Sequence, residues 1–188
     1  MANIERTTDT DDLVLRARAD ADALGRLYEL YYERIFRFCV HRLFSKTIAE
    51  DVTSAVFLAV AAKIRDFTGR TEQDFRNWLY AIAANNANAY IRKMSRRNEL
   101  LQQLTASMTE AADCADEANE LDWPTLYMAI SRLKPKHQTI LTLRFFENLQ
   151  IQEIAKIINA KESTVRVTLH RILRTLREHL QSVLDGGK

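Results

Sequence analysis

Residues 149–177 read LQIQEIAKIINAKESTVRVTLHRILRTLR. Two apolar stripes run through this stretch. The first is Ile151, Ile154, Ala155 and Ile158; the second is Val165, Leu169, Ile172, Leu173 and Leu176, extended by Leu180. Both follow the i, i+3, i+4 spacing that puts side chains on one face of a helix. Asn159 stands between them, where the chain needs a left-handed residue, and Asn tolerates that conformation better than most non-glycine residues. Ala155 is small enough to let two helices cross closely. The pattern predicts a helix-turn-helix, a unit whose second helix enters the major groove of duplex DNA.

Outward from this stretch the rest of the chain also reads as helix. Of 188 residues 47% are hydrophobic, enough for a packed core, while only 4 are Gly and 2 are Pro. That composition favours helices over strands and suits one ordinary domain or two small ones. Residues 24–43 trace a long amphipathic helix through Leu24, Leu27, Tyr28, Tyr31, Ile35, Phe38, Cys39, Arg42 and Leu43. Ile48, Val52, Ala55, Val56 and Ala59 trace a second. Phe75, Trp78, Leu79, Ile82, Ala83, Ala87, Tyr90 and Ile91 line a third. A short helix is expected before these, near residues 11–19. Residues 66–74, DFTGRTEQD, carry Gly69 and read as a loop. Residues 99–122 hold seven acidic residues and no Lys or Arg; they read as a flexible acidic linker, helical at its start. Leu126, Ile130 and Leu133 mark the next helix, and Pro135 suits the first turn of the one after it.

The net charge of +2 decides nothing about nucleic acid, so the distribution of charge has to. On the last helix Arg166, His170, Arg174 and Arg177 share a side, with Arg171 beside them. Such a face suits base-edge contacts by Arg together with phosphate neutralisation. Ser163 and Thr164 lie near the helix start, where hydroxyls and free N–H groups bind phosphate. On the third helix Asn77, Ala81, Asn85, Asn88, Arg92 and Arg96 recur at helical spacing opposite the Trp78–Ile82 stripe. Arg92, Lys93, Arg96 and Arg97 form a basic end. Three asparagines inside a helix are a costly choice if they only face water, because Asn is a poor helix former. A solvated polar surface remains the plainer reading of either face.

Other chemistries find no support. His41, His137, His170 and His179 are scattered, the two cysteines (Cys39 and Cys114) match no metal spacing, and no nucleophile or phosphate-loop motif stands out. The chain is therefore expected to be no enzyme and to need no metal or cofactor. Glu50 and Asp51 are adjacent and diverge on a helix, so they suit a surface contact better than acid–base catalysis. No apolar run is long enough to cross a bilayer and the first residues lack the features of a secretory signal. A soluble cytoplasmic protein without membrane insertion is the expectation.

Four segments, in order, resemble a bacterial sigma factor of the sigma-70 family, of the small extracytoplasmic-function type. LYELYYERIFRFCVHRL (27–43) is similar to the first helix of the family's region two. IAEDVTSAVFLAV (48–60) is similar to its polymerase-binding motif, and FRNWLYAIAANNANAYIRKMSRR (75–97) to its promoter-melting helix. LKPKHQTILTLRFFENLQIQEIAKIINAKESTVRVTLHRILRTLRE (133–178) resembles region four. The resemblance implies an all-α chain of two small helical domains: region two over 11–98, the acidic linker over 99–122 and region four over 123–182. It implies a subunit that lends promoter specificity to core RNA polymerase, touching its clamp helices and flap, with an anti-sigma factor as a further partner. Glu50, Asp51, Ser54 and Phe57 then fall on the polymerase contact. Asn77, Asn85, Asn88, Arg92, Lys93, Arg96 and Arg97 fall on the melted minus-ten strand. Thr68, Gly69, Arg70 and Thr71 form the loop for a flipped base. Ser163, Thr164, Arg166, Val167, Thr168, His170, Arg171 and Arg174 fall on the minus-thirty-five duplex.

The chain departs from the family at four places. Ser54 and Ala55 replace a usual Gln-Glu, Ala84 occupies an often basic position, and Val167–Thr168 replace a common Ser-Arg. Lys161 stands where a capping Ser is usual, so the last helix is expected to begin a residue or two later. The alternative to a sigma factor is a stand-alone helix-turn-helix regulator, which would bind duplex DNA tightly without polymerase.

Overall fold

The computed structural model describes the backbone of residues 2–104 and 123–185; the greater part of the expected acidic linker, Cys114 with it, lies outside the described residues. Eight α-helices and no strand are found among them. Helix α1 (Ala2–Arg16) precedes α2 (Ala21–Leu43), α3 (Lys46–Lys63) and α4 (Glu72–Leu104). A single 3-10 turn, Ile64–Asp66, shortens the expected loop before α4. Helix α1 is longer at its start than the 11–19 segment expected.

Local signals set the helix ends. The Asp20 carboxylate accepts from the Asp22 N–H at the start of α2, and Ser45 Oγ accepts from Ile48 N–H at the start of α3. Phe44 closes α2 in the left-handed region at φ 54°, an uncommon conformation for a bulky side chain. The first core forms where Leu27, Tyr31, Ile35 and Phe38 of α2 meet Val52, Val56 and Val60 of α3 and Phe75, Leu79 and Ala83 of α4, all buried. Cys39 is fully buried in this core as expected, and burial pushes its thiol up to about 11. Helix α1 packs on α2 and α4, with Val14 and Ala17 buried.

The second half contains α5 (Trp123–Ser131), α6 (Pro135–Phe145), α7 (Ile151–Ile157) and α8 (Glu162–Asp185). Pro135 occupies the first turn of α6. Glu153 accepts from the Gln150 N–H and so caps α7. Asn159 adopts φ 49°, and Ala160 N–H returns to the Ala155 carbonyl at 2.9 Å. The turn between the two helices is built as the sequence predicts. Helix α8 is not delayed: it begins at Glu162, with the Lys161 carbonyl accepting its first bond from Val165 N–H. A backbone carbonyl serves there without a capping hydroxyl. Val165, Ile172 and Leu176 are buried, but Leu173 is 42% exposed and leaves the expected stripe. The buried stripe of α8 is centred on Val165, Ile172 and Leu176, and Leu173 lies at its edge.

The two halves pack against each other, α2 and α4 against α6, and α4 against α7. Arg42 of α2 is buried between them at 1% exposure. Its guanidinium donates to Gln138 Oε1, to Asn88 Oδ1 at 2.7 Å and to the Pro135 carbonyl at 3.3 Å. Desolvation lowers its pKa to about 10, which still leaves it cationic at neutral pH. Gln138 in turn donates to the Ser131 and Leu133 carbonyls at the end of α5. Around this centre Tyr80 donates to Glu147, Arg76 pairs with Glu153, and His41 stacks on Phe146 with centroids 4.1 Å apart.

Candidate nucleic-acid interface

Helix α8 presents the more open of the two expected surfaces. Ser163, Thr164, Arg166, Val167, His170, Arg171 and Arg174 are exposed and Thr168 is half-buried. The buried stripe Val165–Ile172–Leu176 fixes the other side of the helix on α6 and α7, so these residues face away from the core. Arg166 lies 3.8 Å from Glu162 and Arg174 3.8 Å from Glu178, each one turn away. Exposed pairs of this kind hold their arginines weakly and leave them available to a polyanion. Val167 is 51% exposed and offers an apolar contact of the type that a thymine methyl accepts.

Helix α4 is divided. Asn85, Arg92, Lys93, Arg96 and Arg97 are exposed. Asn88 is half-buried, and its carbonyl oxygen accepts from Arg42 and from Thr139 Oγ1 at 3.4 Å. Asn77 is 7% exposed, and neither of its amide atoms has a hydrogen-bond partner. It lies inside the fold, contrary to the exposed face expected for it, because the start of α4 is covered on more sides than the rest. Ala84, which stands at a position often basic in the family, is buried as well. Trp78 is half-buried in an aromatic group, 4.7 Å from Phe67 and 5.9 Å from Phe75 between centroids.

The loop before α4 is short and tied down. Thr68, Arg70 and Thr71 are exposed and Gly69 is half-buried. Asp74 accepts from the N–H groups of Arg70 and Thr71 at 3.1 and 3.3 Å, and its own N–H donates to Thr71 Oγ1 at 3.1 Å. The Arg70 N–H above all holds the Asp74 carboxyl below the usual carboxylate range. Gly69 is required for space: a Cβ there would lie 2.6 Å from Asp74 Cβ and would run into the Phe67 ring.

A third surface lies along α2 and α3. Glu50, Asp51 and Ser54 are exposed on α3, and Leu58, one turn beyond Ser54, is 73% exposed. Phe57 is half-buried against Tyr28 at 4.7 Å and Tyr32 at 6.3 Å. Acidic groups beside exposed apolar and aromatic ones suit a protein contact. Tyr32 and Leu58 were not singled out from the sequence, and Tyr28, read there as part of an apolar stripe, is exposed; Tyr28, Tyr32 and Phe36 at four-residue spacing were the available signal. Among the described residues no group of three or more His, Cys, Asp or Glu is arranged to hold a metal ion, and no helix is long and apolar enough to cross a membrane.

A helical bundle joined to a helix-turn-helix, each bearing a polar or basic helix face, defines a class of DNA-directed helical protein. Family comparisons resolve it further. Residues 27–97 match sigma-70 region 2 and residues 125–176 match sigma-70, region 4. The chain is 34% identical over 168 residues to the ECF RNA polymerase sigma factor BldN of Streptomyces coelicolor, covering 88% of this chain and 63% of that one. It thus spans somewhat under two thirds of that relative's length. It is 30% identical to the RNA polymerase sigma factor YlaC of Bacillus subtilis, covering 85% of this chain and 92% of that one. Two solved structures share the fold. One is sigma factor RpoE of Bartonella quintana in complex with the anti-sigma factor NepR, with TM-score 0.63, 18% identity and coverage of 84% and 96%. The other is CnrH in complex with the cytosolic domain of CnrY, with TM-score 0.66, 17% identity and coverage of 92% and 97%. The chain belongs to the sigma-70 family of RNA polymerase sigma factors, in its extracytoplasmic-function branch.

Proposed function

We propose that this chain directs core RNA polymerase to a two-part promoter. Residues 11–98 capture the melted minus-ten strand, residues 123–182 read the minus-thirty-five duplex, and residues 99–122 link them. The observation that carries this reading is the pairing of two different polar surfaces in one chain. The α8 surface, with Arg166, His170, Arg171 and Arg174 exposed, fits duplex phosphates and base edges. The α4 surface, with exposed Asn85 and the basic end from Arg92 to Arg97, fits an opened strand whose bases present their edges. The loop at Thr68, Gly69, Arg70 and Thr71 receives a flipped base, and Asn85 contacts an unstacked one. Asn88 joins that contact only when Arg42 and Thr139 release it, so promoter engagement separates the two halves.

Glu50, Asp51, Ser54 and Phe57, with Tyr28 and Leu58 beside them, form the polymerase-clamp contact, and the region-four half meets the flap. The chain contributes specificity and performs no chemistry of its own, and it works in the cytoplasm with the polymerase. An anti-sigma factor is a natural partner: RpoE, which shares the fold, is held by the anti-sigma factor NepR, and CnrH, which also shares it, is in complex with the cytosolic domain of CnrY. The deciding experiment is transcription with purified chain and core polymerase on genomic fragments, with start sites mapped. Specific starts that depend on the chain are expected. No holoenzyme and no start at any fragment, together with tight duplex binding by the chain alone, would replace this reading with that of a stand-alone regulator.

A further inference from the structure

Arg18 lies between α1 and α2, outside both family-matched segments, yet it reaches the loop before α4. Its Nη2 donates to the Gly69 carbonyl, and its guanidinium carbon stands 5.7 Å from the centre of the Phe67 ring. Phe67 is buried and packs in turn against Phe75 and Trp78 of α4. The same helix α1 touches the far end of the loop, where Asp11 Oδ1 accepts from the Glu72 N–H at the first turn of α4. One side of the loop is therefore held by Asp74, and the other by α1 and Arg18, two residues beyond its end.

The junction that carries Arg18 is itself well fixed. Ala17 N–H returns to the Leu13 carbonyl, Ala19 and Asp20 N–H return to Arg16, and the buried side chains of Val14 and Ala17 anchor α1 below it. Gly69 makes the approach possible, because a side chain there would push the Phe67 ring away from its place under the guanidinium. Arg is the residue this place needs: its planar group stacks on an aromatic ring and donates sideways at the same time, which an ammonium does less well.

We propose that Arg18 is a positioning residue for base capture, holding the backbone of Gly69 so that Thr68, Arg70 and Thr71 present a fixed surface to the flipped base. It touches the loop and not the DNA. The inference rests on the assignment of this loop to base capture and adds to it a determinant that precedes the segment matched to sigma-70 region 2.

The test uses holoenzyme assembled from the full chain and core polymerase, given a pool of promoter fragments with the downstream element randomised. Templates recovered in open complexes are sequenced, giving a base preference at each position. For Arg18→Gln, preference at the captured base is expected to fall roughly tenfold, the scale of one lost charge-assisted hydrogen bond. Preferences at other positions, polymerase affinity and duplex binding should stay as they are. Arg18→Lys should recover part of the loss. Arg70→Ala with Thr71→Ala, in the loop itself, is the reference. If the loop variant flattens that preference and Arg18→Gln leaves it intact, the positioning role is wrong and base capture stands. If neither variant alters any base preference, both fall. A uniform loss at all positions that tracks a lower melting temperature would make Arg18 a stability residue only and overturn the proposal.

Discussion

Helices α4 and α8 carry surfaces that look alike in sequence and differ in the folded chain. Both place polar and basic residues at helical spacing opposite an apolar stripe, Asn, Arg and Lys on α4 and Arg and His on α8. The α8 surface is open: among the described residues, Arg166 and Arg174 meet acidic residues one turn away at 3.8 Å. The α4 surface is partly engaged: Asn77 is buried, and Asn88 is bonded to Arg42 and Thr139 across the contact between the halves. Asn85 and the basic end remain open. A polar helix face is thus not equivalent to an available one. In this chain the polar face of α8 is open to solvent, while part of the polar face of α4 is taken up by the contact between the halves.

The strongest way to break this contrast is Asn85→Ala. Loss of a base contact on this scale should cut promoter opening by up to roughly a hundredfold. Holoenzyme formation and duplex binding should persist, as permanganate reactivity and a polymerase pull-down would reveal. Equal loss of opening and polymerase binding would remove Asn85 from the strand contact.

On α8, Arg166→Ala and Arg171→Ala should each weaken binding to the upstream duplex by about tenfold. Where the lost contact is to phosphate, the salt dependence should also become shallower by about one ion. Opening on a pre-melted template should not change. An effect on pre-melted and duplex templates alike would mean that the two surfaces are not separate.

Arg42→Met probes the closed contact itself. Removing a buried cation with three acceptors should shift the balance toward separated halves by about tenfold. Fluorescence transfer between labels on α3 and α8, or the radius of gyration in solution, would report it. Arg42→Lys should restore little, because a single ammonium does not reproduce the planar fork. An unchanged distance would show that Arg76–Glu153 and Tyr80–Glu147 suffice to hold the halves together.

The smallest effect is expected from pH. His41 stacks on Phe146, and desolvation first, then Arg37, lowers its pKa. A depressed pKa in the closed form means that closing favours the neutral ring. Its contribution is present above the ordinary imidazole value near 6.5 and is lost as pH falls from there through the lowered one. Glu147 works in the opposite sense: burial raises its pKa, so a falling pH favours the closed form as its carboxyl takes up a proton. The same labelled chain should open by a few-fold between about pH 7 and 5.5, and His41→Gln should abolish that step. Opening that survives the substitution would assign the acid response to another group.

Much of the fold was legible because helices announce themselves locally. Asn159 between two apolar stripes gave the turn, Pro135 gave the start of α6, and Gly69 gave the loop. The errors arose where a face had to be chosen. Leu173 reads as apolar but is turned outward by its register, and Asn77 reads as polar but is covered. Lys161 carries no capping hydroxyl, yet its backbone starts the helix. For the candidate surface, the basic positions of α8 and the exposed Asn85 could be placed from spacing alone. Arg18, Arg76, Glu147 and Glu153 could not, since each takes its meaning from a partner more than 50 residues away in the chain.

The sequence by itself determined that this chain is helical, that it ends in a helix-turn-helix and that two helices carry polar faces of different chemistry. These are consequences of periodicity and of residue type, which act over one or two turns. Only the tertiary structure decided which of those faces is free. That depends on long-range packing: a buried arginine on α2 reaching Asn88 and Gln138, and an arginine after α1 reaching the Gly69 carbonyl. No local pattern encodes such pairings, because each acceptor is brought within reach only when the separate helices have packed.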